Sequence, residues 1–463
     1  MDNREVDVVV VGGGPAGEVC GARLSAEGLE VALVERELVG GECAFWACMP
    51  SKALLRPTEL LDEVARVPGA KEAASAPLDV AAVLRRRDEV VRGFDDTRHA
   101  ERLEQRGVAV LRGTGRLVGE RRVRVGELEL QARLAVILAP GSAPLLPPIA
   151  GLEGARPWSD REATTAGEVP GRLIIVGGGV VGAELARAWS SLGSRVSLLE
   201  AAPRLLLKEE PFAGEQVAAA LEEQGVEVSC GVEVSEVRRE DGAGVSVRLA
   251  DGPVLEGDEL LLAVGHRPRT DDLGLETVGL EPGAPIAVDD AMRAGASSWL
   301  YAVGDVNARA LLTHAGKYQA WVACEQILGR DARATHDGAL SPRVSFTDPQ
   351  VAAAGHTLKS AREAGIDAHA VDQPIGAVAG ASFVGRGAPG TARLVLDRGR
   401  GVLVGATFTG SEVAELLHAA TIAMVGEVPV ERLRHAIPSF PTRSEVWLRL
   451  QDKLEAALSA GER

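Results

Sequence analysis

Residues 6–35 read VDVVVVGGGPAGEVCGARLSAEGLEVALVE. The β-branched run from Val6 to Val11, broken only by Asp7, suits a strand. Gly12, Gly14 and Gly17 follow in G-x-G-x-x-G spacing, then a helical stretch, then a second strand that ends at Glu35. In such a unit the first glycine permits a tight turn and the second lets a pyrophosphate approach the backbone. The third packs helix on strand, and the helix N-terminus attracts the phosphates. Glu35 falls where a carboxylate takes ribose hydroxyls. A lone glycine pattern is weak evidence, but strand, turn, helix, strand and acid in register are strong.

The pattern recurs. Residues 171–200, GRLIIVGGGVVGAELARAWSSLGSRVSLLE, place Gly177, Gly179 and Gly182 in the same register and end at Glu200. Two such units imply two dinucleotide sites and an α/β chain with two Rossmann-like domains. A carboxylate at Glu200 hydrogen-bonds a free 2'-hydroxyl and repels a 2'-phosphate, so NADH is expected over NADPH. Arg204 could soften that preference, but no basic cluster replaces the acid.

With 463 residues the chain exceeds one core and suggests two to four domains. A net charge of -16 argues against nucleic acid as partner, since phosphate binding needs a basic face. No apolar run approaches the ~20 residues of a membrane helix. The start, MDNREVDVVVV, is acidic and lacks a basic n-region, so the expected compartment is the cytoplasm.

Five cysteines are too few and too odd for a disulfide framework. No metal is expected either, because the C-x4-C pair Cys43/Cys48 has no second Cys or His pair near it. Cys20, Cys230 and Cys324 read as small buried hydrophobes. For the close pair, in GGECAFWACMPSK (40–52), chance and redox chemistry both stand.

Other landmarks are a strand and proline-rich crossing at 134–149, a strand and turn at 258–272, and a strand at 297–307 that presents Asp305. Beyond about residue 340, alternating ARLVLD (392–397) and GVLVGATF (401–408) and a helix over SEVAELLHAATIAMV (411–425) suggest an α+β domain.

Taken in order, these motifs resemble the flavoprotein disulfide reductases, the family of dihydrolipoamide dehydrogenase, glutathione reductase and mercuric reductase. GGGPAG (12–17) with Glu35 is similar to the FAD fingerprint, and GGECAFWACMPSKALL (40–55) to the redox-active box G-G-x-C-x4-C-x-P-S-K. APGS (139–142), GGGVVGAE (177–184), VGHRP (264–268), AVGDV (302–306) and FPTRSE (440–445) match as well, the last with one departure.

The resemblance implies an FAD domain from 1–150 and 271–338, an NAD(H) domain from 151–270, and a C-terminal interface domain, 339–463, that makes a homodimer. The cofactor-binding set it implies is Gly12, Gly14, Gly17, Glu35, Gly41, Lys52, Gly115, Ser142, Gly177, Gly179, Gly182, Glu184, Glu200, Gly265, Asp305, Leu311, Leu312, Thr313 and His314. Its catalytic set is Cys43, Cys48, Lys52, Glu184 and Glu445. NADH would reduce the flavin from one ring face, and Cys48 on the other face would open the Cys43–Cys48 disulfide. Cys48 is then the thiol beside the flavin and Cys43 the exposed one that attacks substrate. Pro50 and the residues after it read as helical, so the pair sits near a helix start, where the dipole lowers thiol pKa. Lys52 would pair with Glu184, Asp305 would hold the ribityl chain, and Leu311–His314 would line it, with His314 structural.

Disulfide-reducing relatives end in H-P-T-x-S-E, whose His shuttles protons and whose Glu orients that His. Here Phe440 stands at the His position. His435 lies five residues earlier, which would leave Glu445 ten positions away unless Pro438 and Pro441 bend the chain to compensate. General acid–base help is worth ~10²–10⁴-fold, so a lipoamide or glutathione reductase without it should be slow. Quinones, metal ions or a protein thiol that brings its own acid become plausible acceptors. Phe45 and Trp46 read either as an aromatic wall or as core packing. Val180 stands where some relatives carry an aromatic gate, which leaves the nicotinamide pocket more open. Three readings follow: a disulfide reductase using Cys43–Cys48, a diaphorase reducing quinones or metal ions directly, and a non-catalytic FAD-binding redox sensor, for which no residue speaks.

Overall fold

The computed structural model describes residues 2–240, 244–385 and 390–461. The chain divides into two compact units, one of Met1–Pro50, Arg86–Leu145 and Gly265–Ser341, the other of Ser51–Arg85, Leu146–Val264 and Pro342–Arg463.

The first unit is built on a seven-stranded sheet. Asp2–Val11 lies parallel between Val31–Glu35 and Leu128–Leu138, and Ala109–Arg112 extends the parallel part beyond Val31–Glu35. Leu128–Leu138 is long enough for two jobs. Its first residues carry an antiparallel meander with Arg122–Val125 and Gly115–Gly119, and its last pair in parallel with Leu300–Ala302. Alternate valines of the first strand enter opposite layers: Val6, Val9 and Val11 join one core cluster, Val8 and Val10 another. Helices Pro15–Ala26 and Thr313–Ile327 close the second layer through Cys20, Leu24, Ala320 and Cys324. That two-sided burial is why the strand reads as a continuous apolar run.

The second unit holds a four-stranded parallel sheet, ordered Glu227–Cys230, Arg195–Glu200, Arg172–Val176 and Glu259–Leu262, around the second glycine turn. It also holds a three-stranded antiparallel sheet and a C-terminal five-stranded antiparallel sheet, so the α/β class with a C-terminal α+β part is what forms. Two local expectations change. The helix expected from Ser411 begins at Ala414, because Glu412 takes φ +50°, a left-handed conformation outside the helical region. Thr391–Asp397 and Val402–Gly410 are buried along almost their whole length instead of alternating. Helices Ala414–Val425 and Val446–Gly461 pack into one core cluster with these strands, and Leu358–Glu363 into another.

Candidate active site

Two of the three glycines in each turn are needed by the protein itself. A Cβ on Gly12 would lie 2.1 Å from the Ala139 carbonyl oxygen, and one on Gly17 would lie 1.9 Å from that of Gly12. Gly177 and Gly182 repeat this, at 2.4 Å from Ala263 O and 1.8 Å from Gly177 O. The middle glycines differ. A Cβ on Gly14 or Gly179 meets nothing within 4 Å, so each leaves a cradle open at the N-terminus of its helix, Pro15–Ala26 or Val180–Ser191. An anion can approach backbone N–H groups there.

Each cradle has its acid. Glu35 accepts hydrogen bonds from Gly13 N–H at 2.6 Å and Glu37 N–H at 2.7 Å, one on each oxygen. Glu200 takes the same posture, with Gly178 and Ala202 as donors. A carboxylate accepts about four hydrogen bonds, so lone pairs remain for ribose hydroxyls. Arg204, which the sequence left able to favour a 2'-phosphate, is held elsewhere. Its guanidinium donates to the carbonyls of Leu206 at 3.0 Å, Leu207 at 2.9 Å and Glu209 at 2.8 Å.

In the first unit a cavity of about 280 Å³ is lined by Gly12, Glu35, Gly115, Pro140, Arg267 and Arg269. Near it the Ser142 hydroxyl donates to Asp305 at 2.6 Å. Burial pushes the Asp305 carboxyl above its ordinary range, and Ser142 and His266 partly offset that. Arg269 went unnoticed in the VGHRPR stretch. It donates to Ser142 O at 2.7 Å and to Glu42 at 3.3 Å, so it ties this wall to the cysteine segment. Gly265, at φ +120°, accepts from Leu145 N–H through its carbonyl at 2.9 Å.

The cysteine segment packs against the first cradle. Gly40 N–H donates to Gly13 O at 2.8 Å, and a Cβ on Gly41 would fall 2.9 Å from Gly14 Cα. Cys43 lies in the short helix Gly41–Phe45, and Cys48 opens the helix Cys48–Arg66. Neither sulfur is in a disulfide here, and both residues are half-buried. The Thr313 hydroxyl sits 3.4 Å from Cys48 Sγ. The Cys43 thiol is held far above its ordinary range, first by its hydrogen bond to the Cys48 sulfur and then by burial, with Thr313 and Lys317 pulling the other way. Phe45 is buried against His99, ring centroids 5.8 Å apart, and Trp46 stacks on Phe94 at 6.2 Å, which favours core packing for these aromatics.

In the second unit Lys52 Nζ is 2.7 Å from buried Glu184, whose other oxygen accepts from Phe346 N–H at 2.9 Å. Val180, at the first turn of its helix, is exposed. Of Leu311–His314, Thr313 reaches a sulfur, Leu312 is half-buried, and Leu311 and His314 are exposed. Glu445 accepts from Gly380 N–H at 3.0 Å, while His435 stands exposed past the helix Val430–Leu433 and is not its partner. Phe440 is 76% exposed. Cys20 and Cys324 are fully buried as expected, but Cys230 is only half-buried, because it ends the edge strand Glu227–Cys230. Lys317 was missed too. Only its place one turn after Thr313 could have pointed to it.

Among the described residues no helix is long and apolar enough to cross a membrane. A family model described as pyridine nucleotide-disulphide oxidoreductase matches residues 6–326, and one for the dimerisation domain of the same family matches 341–450. The chain is 34% identical over 459 residues to dihydrolipoyl dehydrogenase from Thermus scotoductus, covering 97% of this chain and 98% of that one. It is 27% identical over 447 residues to mercuric reductase from Staphylococcus aureus, covering 95% and 81%. The solved structure of LpdA from Mycobacterium tuberculosis superposes with a TM-score of 0.85 at 25% identity, covering 98% of this chain and all of that one. The open cradles, their acids and the paired thiols fit the family's chemistry, and the chain belongs to the pyridine nucleotide-disulphide oxidoreductases, FAD- and NAD(H)-binding flavoenzymes.

Proposed function

We propose that the protein is an NADH-dependent flavoenzyme that passes an electron pair to a Cys43–Cys48 disulfide and on to a disulfide or comparable small acceptor. One observation carries this reading: the segment that bears both cysteines packs on the Gly14 cradle and brings Cys48 Sγ to 3.4 Å from the Thr313 hydroxyl. Bound FAD would supply the two-electron relay between nicotinamide and disulfide. Gly14, Glu35, Gly115, Ser142 and Asp305 support its placement, and Gly179 and Glu200 that of NADH. Domains at 1–150 with 271–338, 151–270 and 339–463, a homodimer through the last, and a cytoplasmic setting complete the proposal.

Two electrons and two protons convert the disulfide to a dithiol. The Cys43 thiolate attacks one sulfur of the acceptor, RS–SR, forming a mixed disulfide and releasing RS⁻, which takes a proton from solvent. Cys48 then attacks Cys43 Sγ, releasing the second RS⁻ and restoring the disulfide, so two thiols leave for each NADH consumed. Thr313 holds the Cys48 sulfur for that step. Preference for NADH is supported by Glu200 and by the carbonyls that occupy Arg204.

Phe440 supports a second reading, a diaphorase that reduces quinones or metal ions without the cysteines. NADH oxidation against lipoamide, glutathione disulfide, quinones and Hg(II), in wild type and Cys48→Ser, separates the two. Disulfide reduction abolished by Cys48→Ser supports the first. Activity confined to quinones or metal ions and unchanged in Cys48→Ser establishes the second.

A further inference from the structure

The helix Thr313–Ile327 starts at the redox pair, with Thr313 Oγ1 3.4 Å from Cys48 Sγ. Residues four apart share a helix face about 5–6 Å from one another, and helical side chains lean toward the N-terminus. Lys317 is four residues after Thr313, so it stands on the same helix face as the residue that touches Cys48. The side chain is exposed and enters no ion pair among the described residues. The carboxylates nearby are engaged elsewhere: Glu42, next to Cys43 in sequence, faces Arg269 at 3.3 Å, and Glu18 faces His99 at 2.9 Å. Of the other groups on this turn, His314 is exposed at the next position.

We infer that Lys317 is the cation that holds the Cys43 thiolate in the reduced enzyme, supplying from the chain's own redox helix a charge that Phe440 cannot carry. It acts through its field, as a positioning residue for the attacking sulfur, and the role rests on the disulfide-reductase reading above. Its direction is set by chemistry. Burial and the Cys48 sulfur disfavour a Cys43 thiolate, and among charged groups Lys317 is the one that favours it.

The test is alkylation of Cys43 by iodoacetamide in holoenzyme reduced with dithiothreitol, followed by peptide mass across a pH series. Lys317→Met should move the midpoint up by about one unit and slow alkylation near neutrality about tenfold, while Lys317→Arg keeps the wild-type profile. Superimposable profiles for wild type, Lys317→Met and Lys317→Gln overturn the inference. Failure of the wider reading shows separately, as a wild-type protein whose cysteines take up no electrons in a dithionite titration.

Discussion

Lys52 Nζ lies 2.7 Å from Glu184 Oε2, and a backbone N–H, that of Phe346, occupies the other carboxylate oxygen at 2.9 Å. The ammonium also lies over the Phe346 ring, 5.0 Å from its centroid. The carboxylate is buried, so removing its cation should cost more than a surface pair returns. Breaking a fully buried pair costs roughly 3–5 kcal/mol, and partial exposure of Lys52 lowers the expectation for Lys52→Met to about 2 kcal/mol. Urea unfolding measures it. The double variant Lys52→Met, Glu184→Gln should recover part of the loss, and an unchanged midpoint in Lys52→Met would show that the pair contributes nothing.

Gly14 and Gly17 should fail in different ways. Gly17→Ala puts a methyl 1.9 Å from the Gly12 carbonyl oxygen and should unfold or strongly destabilise the first unit. Gly14→Ala puts its Cβ in open space, so the apoprotein should keep its melting temperature while binding FAD more weakly. Absorbance at 450 nm per chain and the apoprotein melting curve report the two effects separately. A wild-type protein that purifies colourless and takes up no FAD on reconstitution would sink the cofactor assignment.

The glycine turns were legible because a βαβ unit writes its demands within some thirty residues. Gly17 and Gly182 meet the carbonyls of Gly12 and Gly177 in their own turns, whereas Gly12 and Gly177 are pressed by Ala139 and Ala263, far along the chain just past a neighbouring strand. Glu35 and Glu200 sit at strand ends that the same pattern marks. Lys52 and Glu184 are 132 residues apart, and only the family resemblance could join them. Nothing in local spacing could foresee that backbone carbonyls capture Arg204, that Glu445 accepts Gly380 N–H, or that Cys230 ends an edge strand. Each depends on where a distant segment comes to rest.

Capture of Arg204 sharpens the expected nucleotide choice. With that guanidinium committed to carbonyls, a 2'-phosphate near Glu200 meets a carboxylate that Arg204 is not placed to offset. Stopped-flow reduction of bound FAD should saturate at lower NADH than NADPH. Glu200→Gln should narrow the ratio by about tenfold, the size of one lost charge interaction of about 1.4 kcal/mol. A wild type that saturates first with NADPH contradicts the assignment.

The dimerisation domain leaves Ile437 85% and Phe440 76% exposed in the single chain, and both are expected to be covered by a second copy. Sedimentation at micromolar concentration should give the mass of two chains, and Ile437→Asp with Phe440→Asp should give one. A wild-type monomer at that concentration contradicts the expectation.

The cysteines supply the last prediction. If Cys43 and Cys48 cycle between disulfide and dithiol, anaerobic dithionite titration of the holoenzyme should take up four electrons per FAD, two for each redox group. Cys43→Ser and Cys48→Ser should each take up two. In Cys43→Ser the remaining thiol keeps Thr313 as a neighbour and should give long-wavelength absorbance with oxidised flavin, which Cys48→Ser lacks. Phe440→His should raise turnover with a small disulfide, because an imidazole at that position can carry the proton that a phenyl ring cannot. The gain should be bounded by the ~10²–10⁴-fold that a positioned acid–base group supplies, since Glu445 accepts Gly380 N–H on one oxygen and keeps lone pairs with which to orient the new ring. Uptake of only two electrons by wild type would mean that the pair is inert, and the enzyme would then be a diaphorase.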